Sequence, residues 1–143
     1  MEDGVEIIEA AAFSDNSVSN LTIPNSVTTI GDFAFLDNPI SSLTLGNNVT
    51  TIGENAFYNN SENTISSLTI NTSDLSNIKF EASSFDSSGV TLTINNAISI
   101  PDEMFREYNI TSLTLGNNVT TIGENAFYGN LISSLTLGNN VTT

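Results

Sequence analysis

Few side chains in this chain are suited to catalysis. It contains no histidine and no cysteine, and its only basic residues are Lys79 and Arg106. Catalysis would have to rest on carboxylates, tyrosines or hydroxyls, without the usual general bases and nucleophiles. We therefore expect a protein that is not an enzyme and that needs no cofactor.

Carboxylates recur at one position of a repeated pattern, at Asp32, Glu54, Asp102 and Glu124. If the repeats stack, these acids form a column with about 5 Å between members. One interpretation is a weak calcium site made of oxygen ligands. We favour a second, in which each acid begins a helical turn whose dipole favours negative charge. A carbohydrate-active enzyme would need a carboxylate pair about 5 to 10 Å apart on the strand side, whereas these acids sort to the other side.

Hydroxyl side chains also recur, and they predict a flat polar surface. The outward row is Thr22, Thr44, Thr69, Thr93, Thr114 and Thr136, and the row beside it is Asn20, Ser42, Ser67, Thr91, Ser112 and Ser134. We take the six threonines with Ser42 as the candidate binding face. Such an array suits glycans or even ice, and it lacks the aromatic and arginine anchors of tight protein interfaces. The alternative is that threonine is simply a good strand residue facing water.

These side chains belong to one short unit that is repeated along the chain. Residues 42–58 recur letter for letter at 112–128, and the unit starts at Leu21, Leu43, Leu68, Leu92, Leu113 and Leu135. Periods of 21 to 25 residues with one strand each indicate a leucine-rich solenoid. We expect one domain over 1–143, with units 21–42, 43–67, 68–91, 92–112 and 113–134 and half units 5–20 and 135–143.

Each unit can be assigned position by position. The LTL or LTI segment alternates in polarity like a strand with one buried face, and the GNN group that follows is a turn. The GENAF segment predicts a short helical or 3₁₀ turn. The fold class is thus an α/β solenoid, with a parallel sheet on one side and short helical turns and loops on the other. We expect an irregular third unit near 73–81, and a stack formed by Phe13, Phe35, Phe57, Phe85, Phe105 and Phe127.

The charge balance excludes several partners. The formal net charge is −14 over 143 residues, so phosphate backbones and anionic membranes are poor partners. The first residues have neither the pattern of a signal peptide nor that of a membrane span, and we expect no membrane insertion.

Seven Asn-x-Ser/Thr sequons occur, about as many as chance would give in a chain rich in these residues. They begin at Asn20, Asn48, Asn59, Asn71, Asn109, Asn118 and Asn140. Glycosylation at these positions is an expectation that depends on the source having the enzymes for it.

The two ends of the chain have complementary patterns. The start carries the second half of a unit, with Val5, Ile8 and Phe13, and the finish carries the strand half, with Leu135, Leu137 and Val141. Neither end has the polar capping unit that solenoids normally use. We expect either a fragment of a longer array or a subunit that assembles head to tail into a filament.

The segment LTIPNSVTTIGDFAF at residues 21–35 resembles the BspA-like leucine-rich repeats, and the resemblance extends over residues 5–143. It implies repeats that are extracellular or displayed at the cell surface and that bind host proteins or other cells without catalysis. The function expected from it is a module for cell-surface adhesion or recognition. Its partners would be surface proteins, glycans or other copies of the chain.

Overall fold

A computed structural model describes residues 4–60, 64–81 and 84–142. Within these ranges the chain forms short strands joined by turns, without any α-helix. The strands are β1 (Ile7–Ile8), β2 (Asn20–Thr22), β3 (Thr29–Ile30), β4 (Ser42–Leu45), β5 (Thr51–Ile52), β6 (Ser67–Ile70), β7 (Val90–Ile94), β8 (Ser99–Ile100), β9 (Ile110–Leu115), β10 (Thr121–Ile122) and β11 (Ser134–Thr136).

The largest sheet has six parallel strands in the order β11-β9-β7-β6-β4-β2. Equivalent residues face each other, so that Leu43 pairs with Leu68 and Leu68 with Leu92. The inward leucines from Leu21 to Leu113 are buried because strand side chains alternate between the two faces, whereas Leu135 on the last strand is exposed. Each buried leucine contributes about 1.5 to 3 kcal/mol, and neighbouring coils supply the surface against which it packs.

Two smaller parallel sheets are formed by the second strand of each regular coil, in the orders β1-β3-β5 and β10-β8. The described residues of the third unit contribute no strand to these smaller sheets, and residues 73–81 form turns and loop, as the sequence predicts. This face of the solenoid is therefore interrupted, whereas the six-stranded sheet is continuous.

The predicted helical turns are not found in the regular coils, where this part is a series of tight turns; among the described residues only Ser84, in the third unit, is in a 3₁₀ turn. Alternate backbone N–H groups of this segment donate to carbonyls of the next coil: Phe33 donates to Glu54 O at 2.9 Å and Phe35 to Ala56 O at 2.8 Å. The N–H groups between them close local turns, as Leu36 does with Phe33 O at 3.0 Å. An α-helix needs each of these donors for a carbonyl four residues back in its own chain. Donation to the next coil thus replaces helix formation.

Each such segment has a left-handed backbone conformation at one shared position, and most have a second one four residues later. The equivalent residues are Ala11, Phe33, Asn55, Glu103 and Asn125, with φ between 53° and 58°. Only asparagine adopts this region readily among these residue types. The same conformation at alanine, phenylalanine and glutamate shows that the bonding between coils sets the backbone here, and local preference does not.

The predicted phenylalanine stack is present at both ends and altered in the middle. Phe13, Phe35 and Phe57 are stacked with ring centroids 5.3 and 5.6 Å apart. From Phe57 the ring contacts continue through Phe80 and then Phe85, at 6.2 and 5.7 Å. Tyr108 then lies between Phe85 and Phe105, at 4.9 and 5.8 Å, and Phe105 stacks on Phe127 at 5.7 Å. Two extra rings thus fill the irregular third and fourth units.

Asparagine side chains in the interior of the solenoid hydrogen-bond to the backbones of successive coils. Asn38 is 1% exposed, and its Nδ2 donates to Phe13 O at 2.7 Å and to Phe35 O at 3.0 Å. Its Oδ1 accepts the Val18 N–H at 3.0 Å. Asn130 makes the equivalent contacts to Phe105 O and Phe127 O, at 2.7 and 2.9 Å. A buried amide with both ends hydrogen-bonded holds two coils together.

The break in the smaller sheets coincides with a proline. Gly31, Gly53 and Gly123 follow β3, β5 and β10, and each donates its N–H to the preceding coil at 2.8 Å. A Cβ at these glycines would lie 2.4 to 2.6 Å from the backbone of that coil. Pro101 occupies the same position after β8 and has no N–H to donate. The coils cannot approach as closely at Pro101, and the sheet is broken there.

Candidate functional site

The six predicted outward threonines form one continuous column on the large sheet. Register pairs join Thr22 to Thr44, Thr44 to Thr69 and Thr69 to Thr93. Pairs from Thr93 to Thr114 and from Thr114 to Thr136 complete the column. Parallel strands lie about 4.8 Å apart, so the column has a regular hydroxyl spacing.

A second column lies two residues earlier on the same strands. Ser42 pairs with Ser67, Ser67 with Thr91, and Thr91 with Ser112. Asn20 and Ser134 end this column. The two columns together present only hydroxyl and amide groups. They can donate and accept hydrogen bonds but cannot hold a charged ligand by charge.

The threonine face is accessible at both ends and half-buried at its centre. Thr22 and Thr136 are exposed, whereas Thr44, Thr69 and Thr93 are partly covered by neighbouring columns. The central hydroxyls are thus less accessible to solvent than those at the two ends. A ligand that matches the spacing would meet a preorganised surface.

Two of the four recurring carboxylates, Asp32 and Asp102, accept a backbone N–H of the next coil instead of beginning helices. Asp32 Oδ1 accepts the N–H of Glu54 at 2.8 Å, and Asp102 Oδ1 accepts the N–H of Glu124 at 2.7 Å. The helix-dipole interpretation is therefore wrong, because no helix begins here. Among the described residues no group of three or more acids is placed to hold a metal ion.

The predicted sequons are mostly engaged between coils. Nδ2 of Asn48 donates to Asn25 O and that of Asn140 to Asn117 O, both at 2.7 Å. The amides of Asn59, Asn71 and Asn118 also donate to the preceding coil. Asn20 donates to its neighbour Ser19, and Asn109 has a positive φ. Five of the seven asparagines thus have a structural role between coils, and glycosylation of the sequons stays a prediction.

The predicted assembly ends differ in exposure. Leu135 is 56% exposed and Leu137 46% exposed, whereas Val141 packs partly against the core. At the other end Val5 and Phe13 are each 38% exposed. Ile8, which we expected to take part in the end surface, is 2% exposed and lies inside the first coil. It cannot contribute to a contact unless that coil opens.

The charged residues away from the threonine face form a few local contacts. Arg106 pairs with Glu103 at 3.1 Å and its guanidinium carbon lies 5.0 Å from the ring centre of Tyr128. The Ser76 backbone N–H lowers the pKa of Asp74, and the Ser88 N–H does the same for Asp86. These hydrogen bonds favour the ionised carboxylates.

Tyr108 is a buried titratable group inside the stack. Its hydroxyl donates to Phe80 O at 2.5 Å. Burial, with a smaller contribution from the charge of Glu81, raises the pKa of Tyr108 to about 12. The residue is neutral at physiological pH and serves as a packed hydrogen-bond donor.

The sequence also contains two departures from the repeat pattern that the prediction of a functional site did not use. Ile98 and Pro101 replace the threonine and glycine that occupy their positions in the regular coils. Both line a cleft of about 590 Å³ beside β8, at the interruption of the smaller sheets.

Comparison with known proteins agrees with this architecture. The model of the BspA type leucine-rich repeat region matches residues 1–93 and 80–143 and finds six copies of the repeat. No curated protein and no solved structure gives a significant match to the chain. Among the described residues, no helix has the length and apolar content required to cross a bilayer. The solenoid of about six turns and the matched repeats together place the chain in the BspA-type leucine-rich repeat family.

Proposed function

We propose that the chain is a non-catalytic recognition module that is displayed outside the cell and binds other surfaces through the threonine face. The observation that carries this proposal is the unbroken register of Thr22 through Thr136 across six strands. The smaller sheets, by comparison, are interrupted at the third unit. An extended binding surface requires a continuous array of side chains, and the six-stranded sheet provides one whereas the smaller sheets do not.

The chemistry of this face favours a ligand with many hydroxyl groups. Thr44, Thr69 and Thr93 offer donors and acceptors at strand spacing, and Ser67 and Thr91 extend the array sideways. Glycans carry repeated hydroxyls that match such groups, whereas the array has no aromatic or arginine anchor for a protein hot spot. We therefore propose surface glycans as the principal ligand class.

A binding comparison between two triple variants tests the proposal. The purified chain is applied to glycan arrays and to intact cells, and compared with a variant in which Thr44, Thr69 and Thr93 are replaced by valine. Valine keeps the size and strand preference of threonine and removes only the hydroxyl. We expect the variant to lose most of the binding.

The matched control replaces Thr29, Thr51 and Thr121 by valine. These threonines also lie on strands, but on the smaller sheets. This control should bind like the parent chain. Binding that is unchanged in the first variant, or that falls equally in both, would refute the threonine face as the binding surface.

A second candidate function, assembly into a filament, is favoured by the apolar ends of the stack. Leu131 is 74% exposed beside Leu135 and Leu137, and Val5 and Phe13 are exposed at the other end. Burial of these residues against a second copy would remove apolar surface from water. A head-to-tail contact of this kind does not close, so it would build fibres.

Sedimentation velocity and negative-stain microscopy of the 143-residue chain test this candidate. Filament assembly predicts fibres whose amount rises with concentration and falls when Leu135 and Leu137 are replaced by serine. Monomers at all concentrations would exclude filament assembly by this chain without affecting the proposal for the threonine face.

A further inference from the structure

The interruption of the smaller sheets leaves a groove beside β8, on a different sheet from the threonine face. One wall is the loop at Ser73–Ser76, and the rest of the lining is residues 98–102, which include β8, together with residues 121–123, which include β10. The groove has a volume of about 590 Å³ and is open to solvent. Volumes of this size are typical of ligand-binding clefts.

Two substitutions relative to the regular coils create the groove. Pro101 stands where Gly31, Gly53 and Gly123 pack tightly on the preceding coil. Ile98 stands at the position of threonines such as Thr28 and Thr50, whose hydroxyls donate to the preceding coil at 3.2 Å. The first change prevents close packing and the second replaces a hydrogen-bonding side chain by an apolar one. Ile98 is 59% exposed.

The backbone of Ser99 faces the groove without a strand partner. Strand β8 pairs with β10 through Ile100, whose carbonyl accepts the Gly123 N–H at 2.8 Å. Neighbouring residues of a parallel strand point their N–H and C=O groups to opposite edges. The groups of Ser99 therefore point toward the groove, and no strand within the described residues pairs with that edge. The Ile98 N–H, one residue earlier, donates to Ser73 O at 3.2 Å, so the loop at Ser73 closes the groove just before Ser99. An unpaired edge is a template for an added strand.

The side chains around this edge define what a partner must carry. Leu75, Ile98 and Ile100 provide apolar surface, and Asp74 and Asp102 provide the charges. Lys79 lies in the adjoining cleft and not in the groove. With a net charge of −14, the chain repels acidic partners and further copies of itself at this place. The complementary partner is extended, apolar on alternate residues and basic.

We propose that this groove binds an extended basic peptide segment, which adds as a strand to the free edge of β8 at Ser99. The backbone of the segment hydrogen-bonds to Ser99. Its apolar side chains contact Ile98 and Leu75, and its lysine or arginine side chains lie near Asp74 and Asp102. Main-chain pairing with alternate side-chain contacts is a recurrent mode of peptide recognition.

The test uses the whole chain and a fluorescent hexapeptide of alternating valine and lysine, with blocked termini. Fluorescence anisotropy measures the Kd, and the ¹⁵N amide signal of Ser99 reports where the peptide binds. We expect saturable binding and a shift of the Ser99 signal. The same peptide with N-methyl groups on alternate amides should bind about tenfold more weakly, because it cannot pair with the edge.

Matched variants separate the groove from general attraction to an acidic surface. Asp102→Asn keeps the acceptor for the Glu124 N–H and removes the charge, and Asp32→Asn makes the same change in a regular coil. We expect Asp102→Asn to weaken binding about threefold and Asp32→Asn to leave it unchanged. Ile98→Thr restores the residue of the regular coils, and we expect it to weaken binding about threefold to tenfold.

Three results would overturn the proposal. The first is a valine–glutamate peptide that binds as well as the valine–lysine peptide. The second is equal weakening by Asp32→Asn and Asp102→Asn. The third is an absence of saturable binding up to about 1 mM lysine peptide, since the Ser99 hydrogen bonds, the apolar contacts and the two carboxylates together should bind more tightly than that.

Discussion

Asp32 Oδ1 accepts the backbone N–H of Glu54 in the next coil at 2.8 Å. The contact explains the aspartates at this position, Asp32 and Asp102, since each carboxylate satisfies a donor that no helix uses. It also shows how side chains join the coils where the strands end. Hydrogen bonds to charged acceptors are stronger than those between neutral groups.

Replacement of Asp32 by alanine should destabilise the chain by about 1 kcal/mol, because the Glu54 N–H then loses its acceptor. Chemical denaturation followed by circular dichroism measures the change. Glu54→Gln serves as the control, since no side-chain contact of Glu54 is found among the described residues, and it should stay within about 0.5 kcal/mol of the parent. Equal effects of the two variants would contradict the capping role.

Ser84, like Ile98 and Pro101, departs from the residue that the regular coils have at its position. The regular coils have Ala34, Ala56 and Ala126 before the stacked phenylalanine, whereas Ser84 is 2% exposed and its hydroxyl has no partner among the described residues. Ser84→Ala should stabilise the chain by about 1 kcal/mol, because it removes an unsatisfied buried hydroxyl. Thermal unfolding checks the sign. The reverse change, Ala56→Ser, should destabilise it by at least as much, and a stabilising Ala56→Ser would count against the explanation.

Asn38 should be among the most sensitive positions of the chain. Its buried amide contacts Phe13 O, Phe35 O and the Val18 N–H. Asn38→Ala leaves these groups without partners, and we expect a loss of about 3 kcal/mol. Asn16 occupies the same position in the first coil but is exposed, so Asn16→Ala should change the free energy of unfolding by less than about 0.5 kcal/mol. Similar values for both variants would contradict the role of the buried amide.

The raised pKa of Tyr108 predicts that the chain loses stability at alkaline pH. Its pKa is about 12 in the folded chain and about 10 in an unfolded chain, so folding favours the neutral phenol. This contribution is fully present below pH 10 and is lost as the pH rises from 10 to 12. The melting temperature should fall over that interval, and by less in Tyr108→Phe. An identical fall in both proteins would show that Tyr108 does not cause it.

The features that follow from repetition could be predicted from the sequence. The threonine column and the leucine ladder were predicted from the two-residue alternation at a fixed offset, and the register pairs of Thr44 and Leu43 confirm both. The irregular third unit was predicted from its insertions. Stacking copies of one unit leaves little freedom at such positions, so the pattern alone determines them.

The features that depend on contact between coils could not be read from residue types. A left-handed backbone at Phe33 or Glu103 contradicts local preference, and it arises because alternate N–H groups reach the next coil. The insertion of Phe80 and Tyr108 into the ring stack depends on the exact path of the third unit. The groove is different, since Ile98 and Pro101 already departed from the repeat and would have marked it.

Amide hydrogen exchange tests most directly the claim that bonding between coils is continuous in the regular units and broken at Pro101. Thr51 donates its N–H to Thr28 O at 3.3 Å, and the equivalent N–H of Ser99 faces the groove. We predict that amides in β4, β6 and β7 exchange slowest and that Ser99 exchanges at least about 100-fold faster than Thr51. Equal protection of Ser99 and Thr51 would show that the sheet continues through the third unit, and it would contradict this account.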